Sequence, residues 1–348
     1  MLYDGNNIWE DEPSSSDGYR RDYADGINQY IDICNKRAAR RRADYMTPEK
    51  LTHDLEKYRR EFIEMIGLDA FTNASSRNHE KIYVGSDDVC RIYRITVYIT
   101  DEIPLYAMLF IPHGAEKGAP LVIAQHRGGG TPELCADLNG KNNYNHMVQR
   151  VLKRGAVVIA PQLLLWSVKE QEFQRGHDIA YDRQKINNSL KRFGTSITAL
   201  EIAGIRRCID FGCEIPETDE SKVSMIGLSY GGYYTMHTMA ADMRIKAGYA
   251  AGFLNSRDVY DWQDWTYPSS AFKFQDAETA ALCAPRKLYI TVGKEDAVFD
   301  WKSAVSEFER VRKYFCAFGA EDNIRFNLWE GGHTLPDDDE GIDFILSY

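Results

Sequence analysis

The sequence predicts an α/β chain with a mostly parallel central sheet, helices on both faces, antiparallel strands at the N-terminal edge and a helical N-terminal extension. Three observations support this. From residue 121 onward, short apolar runs alternate with helical patterns, as parallel strands joined by crossover helices require. Before that, three runs rich in β-branched and aromatic residues follow one another through short connections, the habit of antiparallel strands. Earlier still, two segments place apolar residues at helical spacing.

The elements can be justified in order. Residues 1 to about 17 carry Asp11, Glu12, Pro13 and three serines with little to bury, so they read as frayed. The first helix shows Ile27, Tyr30, Ile31 and Cys34 on one side; its Lys36, Arg37, Arg40, Arg41 and Arg42 read as a solvated face. The second carries Leu51, Leu55, Tyr58, Phe62 and Ile66, opened by Thr47-Pro48 and closed by Gly67. These helices make an extension over residues 1–75, ahead of the main domain over 76–348. Strands are expected at 81–84, 91–99 and 105–111, then a buried strand at 121–124. A helix over 145–154 leads to a strand at 156–160, and Ile202, Ile205 and Ile209 mark the buried side of another helix. A strand at 223–226 runs into a helix near Ser229, and the chain closes with a strand at 287–292, a helix over 301–318 and a strand at 324–328. In such sheets ligands sit beyond the carboxyl ends of the strands, so chemistry is expected just after each apolar run.

Composition narrows the functional classes. With 42 basic against 52 acidic residues the net charge is -10, which disfavours nucleic acid as a partner. No run approaches the ~18 apolar residues of a membrane span, and the first residues lack a basic segment followed by an apolar one. The seven cysteines are scattered, odd in number and without a Cys-x-x-Cys pair. A reduced, cytoplasmic protein without a zinc site is the expectation.

After the strand at 223–226 comes Gly227-Leu228-Ser229-Tyr230-Gly231-Gly232, a G-x-S-x-G sequence between strand and helix. Small residues on either side of the serine let the backbone turn sharply enough to lift the hydroxyl above the sheet. A serine hydroxyl needs a base, and the base needs an orienting acid. The strand ending at 292 leads to Glu295 and Asp296, and the last strand leads to Gly332-His333. Ser229, Asp296 and His333 therefore follow in order at three strand ends, as candidate nucleophile, acid and base. Asp300 reads instead as a helix cap, Glu295 as solvent-facing, His237 as a packed or surface residue, and Asp258, Asp261 and Asp264 as a solvated loop. An oxyanion needs two N–H donors; Tyr230 and Gly128 are the candidates, with Gly129 the nearest rival. The glycine run 128–130 is not a phosphate loop, since no Gly-Lys-Ser/Thr follows it.

Taken together, these motifs resemble the α/β-hydrolase superfamily, in its dienelactone-hydrolase-like and acetylxylan-esterase-like branch. The resemblance runs from about Tyr58 to Tyr348 and includes the 125–130 loop, the Ser229 elbow, the segment 240–247, Val292 to Asp296 and Gly332-His333. It implies an α/β-hydrolase fold and a serine carboxylesterase acting through an acyl-enzyme on short acyl groups, with a small-molecule or carbohydrate ester as substrate and no metal or cofactor. Two departures stand out. Arg127 replaces the glycine of the usual His-Gly pair; a side chain there either clashes with the acyl pocket or binds a substrate carboxylate or sugar hydroxyl, and substrate binding is the expectation. The segment from Pro161 to Trp166 replaces a polar, glycine-rich loop. Residues 164–195 are expected to form a lid or pocket wall, with Trp166 and Phe173 as contacts; Trp262, Trp265 and Tyr267 stand between a second wall and simple packing. Two other readings stay open: a prolyl-oligopeptidase-type peptidase, and a catalytically silent hydrolase fold used for binding. Homo-oligomerisation is also open.

Overall fold

The computed structural model describes residues 15–71, 78–115, 117–138, 142–165, 181–260 and 262–348. The N-terminal residues 1–14, and with them most of the expected frayed end, lie outside the described residues, as do Trp166, Phe173, His177 and Asp261.

Two helices come first, α1 (Ser15–Tyr45) and α2 (Pro48–Ile66). Strands β1 (His79–Ser86), β2 (Cys90–Thr100), β3 (Ile103–Pro112) and β4 (Ala119–Gln125) follow. Then come α3 (Pro132–Cys135), α4 (Met147–Leu152), β5 (Val157–Pro161), α5 (Arg183–Lys191) and α6 (Ile197–Cys213). The second half holds β6 (Thr218–Leu228), α7 (Tyr230–Ala241), β7 (Ile245–Ala251), α8 (Ser270–Lys273), α9 (Asp276–Ala281), β8 (Lys287–Gly293), α10 (Trp301–Ala317), β9 (Ile324–Trp329) and α11 (Glu340–Leu346).

The strands make one sheet in the order β1-β2-β3-β5-β4-β6-β7-β8-β9. The pairs β1–β2, β2–β3 and β3–β5 are antiparallel, and every pair from β5–β4 to β8–β9 is parallel. This is the expected mixture, with the antiparallel part at the N-terminal edge. Alternation along β4 shows why the sheet is covered twice. Leu121 and Ile123 enter a core shared with α2, α6, α7 and α10, while Val122 and Ala124 enter a second core with α4 and α11.

The two N-terminal helices differ. Helix α2 opens on Thr47, whose hydroxyl accepts from the Lys50 N–H at 3.2 Å, and closes on Gly67. Its Leu51, Tyr58, Phe62 and Ile66 are buried in the first core. Helix α1 is mostly exposed and packs near α8. Its basic face is solvated except at Arg42, which turns inward to Glu278 at 3.3 Å.

Several elements depart from expectation for identifiable reasons. Helix α4 starts only at Met147, because Asn145 and His146 adopt positive φ values of 46° and 59°. Strand β7 has a sequence of small residues with little β-branching, and its pairing between β6 and β8 makes it a strand. Short helices α9 and α11 had no clear sequence pattern.

The placement of α2 gives a first prediction. Truncating Phe62, which is fully buried, leaves a cavity under the sheet. We expect Phe62→Ala to lower stability by about 3–5 kcal/mol in denaturant titration. A loss below about 1 kcal/mol would show that α2 rides on the domain instead of completing its core.

Candidate active site

Ser229 lies at the junction of β6 and α7 with φ 60° and ψ −118°, a strained conformation for a residue with a side chain. Its N–H donates to the Ala251 carbonyl at 2.8 Å, and its own carbonyl accepts from the Tyr233 N–H at 2.9 Å. The first bond ties the elbow to the end of β7, and the second starts the helix. Gly231 permits this crossing, since a Cβ there would overlap the Gln125 carbonyl of β4. Ser229 therefore sits at the amino end of the twelve-residue α7, where partial positive charge favours a developing anion.

Beyond β8, the Asp296 side chain is fully buried. One carboxylate oxygen, Oδ1, accepts from the Val298 and Phe299 N–H groups at 2.8 and 3.0 Å. Its Oδ2 lies 2.8 Å from His333 Nδ1. The two loops are also joined by the Glu295 N–H, which donates to the Gly331 carbonyl at 2.9 Å, while the Glu295 side chain faces solvent. The His333 ring rests against Gly252, where an added Cβ would lie 3.3 Å from Cε1 and Nδ1. Gly252 has φ +56° and follows Ala251, the residue that receives the Ser229 N–H. The fold thus places Ser229, Asp296 and His333 after the carboxyl ends of β6, β8 and β9, with His333 on Asp296 and against Gly252. Asp300 caps α10, accepting from the N–H groups of Lys302 and Ser303. His237 is packed inside α7, with Nδ1 2.9 Å from the Tyr233 carbonyl.

The loop after β4 is held from behind. His126 is fully buried, and burial pushes its pKa down to about 4. It is therefore a neutral ring: Nδ1 donates to the Arg127 carbonyl at 2.8 Å and Nε2 accepts from the Leu163 N–H at 3.0 Å. The Arg127 carbonyl also accepts from the Gly130 N–H at 3.0 Å. In a trans peptide the N–H points opposite to the C=O. The Gly128 N–H thus faces away from His126. The Arg127 N–H is engaged by the Tyr144 hydroxyl at 2.8 Å. Within its side chain, Nε donates to Asn143 Oδ1 at 2.9 Å and Nη1 donates to the Gly128 carbonyl at 2.8 Å.

Tyr230 follows the serine, and its ring packs against Trp262 and Trp265 at centroid distances of 5.6 and 4.7 Å. Its hydroxyl donates to Asp264 Oδ2 at 3.0 Å. Here the expectation of a solvated acidic loop is corrected: Asp264 is buried, because Arg183 Nε reaches it at 2.9 Å. Arg183 also grips Glu201 with two N–H···O bonds of 2.8 and 3.0 Å, and Tyr234 donates to the same carboxylate. Leu164 is tied in at both ends, its N–H to Glu201 at 3.0 Å and its carbonyl to Arg183 at 2.6 Å. Buried charge thus holds the Leu164 backbone beside the start of α5. Beside Tyr230 opens a cleft of about 730 Å³, bounded by Tyr181, Gln184, Asn187, Trp262 and Gln263. Of the aromatic residues expected as a second wall, Trp265 and Tyr267 are buried packing, and Trp262 lines the cleft.

This arrangement is the α/β-hydrolase fold, and solved structures share it. No family model matches the chain, and no curated protein matches it. A methylesterase, BT1017, superposes with a TM-score of 0.68 at 18% identity, over 90% of this chain and 67% of that one. A Bacteroides fragilis protein provisionally assigned as an acetyl xylan esterase gives 0.66 at 15% identity, over 86% and 83% of the two chains. A glucuronoyl esterase from Solibacter usitatus gives 0.60 at 14% identity, over 82% and 91%. At these identities the likeness establishes the fold. Among the described residues no helix is long and apolar enough to cross a membrane.

Two measurements test these contacts. Removing Glu201 leaves Arg183 buried without its main partner, so Glu201→Ala should lower stability by about 3–5 kcal/mol in urea unfolding; a change under about 1 kcal/mol would show that the cluster is hydrated. The second concerns His126. Because its folded value lies below the unfolded 6.5, the unfolded chain binds the extra proton between about pH 6.5 and 4. Stability is full above that window and falls as the pH drops through it, by on the order of 3 kcal/mol. Buried His237, also shifted down, adds a loss of the same sign. We expect His126→Asn to flatten the decline measured from pH 7.5 to about 4.5, whereas equal slopes in the two proteins would contradict a neutral, buried His126.

Proposed function

We propose that this chain is a serine hydrolase that cleaves carboxylic esters through an acyl-enzyme, as a short-acyl carboxylesterase acting on acylated carbohydrate. One observation carries the chemistry: the 2.8 Å contact between His333 Nδ1 and buried Asp296, beside a serine held at φ 60° on a strand-to-helix elbow. With Nδ1–H given to the carboxylate, Nε2 is left as the proton acceptor. Ser229 Oγ attacks the ester carbonyl as its proton passes to His333. The Gly128 and Tyr230 N–H groups receive the oxyanion, one from the loop after β4 and one from the start of α7. The C–O bond to the alcohol breaks, and His333 returns the proton to the leaving oxygen. Water then attacks the acyl-enzyme by the same route in reverse and releases the acid.

Two features favour a carbohydrate ester. Neighbours of the same fold are named for acetyl xylan, methyl ester and glucuronoyl ester cleavage. The cleft beside Tyr230 is lined by Trp262, Gln184 and Gln263, whose flat ring and side-chain amides suit a sugar face and its hydroxyls.

The test uses purified protein on p-nitrophenyl acetate and acetylated xylo-oligosaccharides. Ser229→Ala is expected to lower kcat by about a thousandfold or more and to abolish labelling by a fluorophosphonate probe. Activity equal to wild type in that variant would reject the assignment.

A further inference from the structure

Asn143 sits between α3 and α4, and its side chain spans two loops that the reaction must hold in register. Its Nδ2 donates to the His333 carbonyl at 3.1 Å, across 190 residues of chain. Its Oδ1 accepts from Arg127 Nε at 2.9 Å. The Asn143 backbone carbonyl accepts from the Leu335 N–H at 2.9 Å, two residues past the histidine. Arg127 continues the chain of contacts through Nη1 to the Gly128 carbonyl at 2.8 Å. Tyr144, the next residue, takes the Arg127 N–H.

We propose that Asn143 and Arg127 are positioning residues: a side-chain brace that sets the loop carrying His333 against the loop carrying the Gly128 amide. This rests on the hydrolase reading above. A base on one loop and an anion donor on another act together only if both are fixed to a fraction of an ångström. The histidine loop is also anchored toward β8, through Asp296 and Glu295. From Leu335 onward it is tied to the α4 side by Asn145 Nδ2 on the Leu335 carbonyl at 2.6 Å and Arg150 Nη1 on the Pro336 carbonyl at 2.8 Å. The Asn143 side chain is the bond that reaches the His333 backbone itself. The glycine loop is anchored toward β5, through His126 and Leu163. Asn143 joins the two anchorages because an amide both donates and accepts. Arginine suits the other end because its planar fork sends Nε to Asn143 and Nη1 to Gly128 at once, which a lysine ammonium does not reproduce. The departure from a small residue at position 127 thus serves the scaffold.

The experiment compares wild type with Asn143→Asp, Asn143→Ala, Arg127→Ala and the double variant Asn143→Ala/Arg127→Ala on p-nitrophenyl acetate. Hydrogen exchange over residues 331–335 is followed in parallel. Asn143→Asp is isosteric; it keeps the bond from Arg127 but turns an acceptor toward the His333 carbonyl. Each single variant should lower kcat by about 10- to 100-fold with KM within about twofold. The double variant should resemble the singles instead of multiplying them, since both remove one linkage. Exchange over 331–335 should quicken in Arg127→Ala, although that residue is remote in sequence. If Arg127→Ala raises KM with kcat unchanged, the guanidinium binds substrate and the brace is wrong. Multiplicative effects, or unchanged exchange over 331–335, would also overturn it. Should Asn143→Ala fail to fold, the isosteric variant and the exchange measurement decide. Ser229→Ala in the same series keeps the two readings apart: wild-type turnover there rejects the hydrolase, and the exchange data alone then judge whether the loops are linked.

Discussion

Where β6 gives way to α7, two backbones pass so closely that a single Cβ on Gly231 would overlap the Gln125 carbonyl of β4. That close crossing accompanies the positive φ of Ser229 at the end of β6. The consequences spread outward. The Ser229 N–H is captured by Ala251, so the elbow and the end of β7 move as one body. Gly252 then turns with positive φ and leaves room for the His333 ring. The same crossing places the first turn of α7 next to the loop after β4.

Much of this was legible in the sequence because it depends on local chemistry. Short apolar runs, the glycines around Ser229 and the order of serine, acid and histidine are each signals confined to a few residues, and the sheet follows from them. The Thr47-Pro48 start and Gly67 stop of α2 were readable for the same reason. What escaped is what only tertiary packing creates. Asp264 looks like one of several surface acids until Arg183, far away in the chain, buries it. Arg42 belongs to a basic run, yet it alone turns inward, since Glu278 waits beneath α1. Strand β7 has one β-branched residue, Ile245, and exists because its neighbours supply pairing on both edges. Asn143 carried no motif at all; its significance is a pair of hydrogen bonds to residues on two other loops. Arg127 was visible as an unusual residue after His126, but its partner Asn143 was not.

Buried charge organises the other side of the site. Arg183 can be sequestered because Glu201, Asp264 and a backbone carbonyl occupy its donors in a matching geometry. An isolated guanidinium there would be prohibitively costly, so the cluster is all or nothing. Its value to the site is positional. Through Asp264 it holds the Tyr230 hydroxyl, and together with Glu201 it holds both ends of the Leu164 peptide. The residue supplying one proposed oxyanion donor is therefore anchored at the far tip of its own side chain, about as rigidly as the core beneath it.

Environment also sorts the histidines. His126 and His237 are sealed in the interior, where burial disfavours the imidazolium, and hydrogen bonds to carbonyls fix their rings. A group kept neutral in this way makes a dependable strut and a poor proton carrier, because accepting a proton would place an uncompensated charge in apolar surroundings. His146 pairs with Asp137 at 2.9 Å, but it faces solvent on the loop before α4. His333 combines what the others hold separately. Its Nδ1 meets a carboxylate ready to balance an imidazolium, its ring lies against the residue that follows the serine's own backbone partner, and about a fifth of its side chain still reaches the surface. His333 is set apart from His126, His146 and His237 by a conjunction: Asp296 on Nδ1, a ring against Gly252, a partly exposed edge, and the Asn143 contact to its carbonyl.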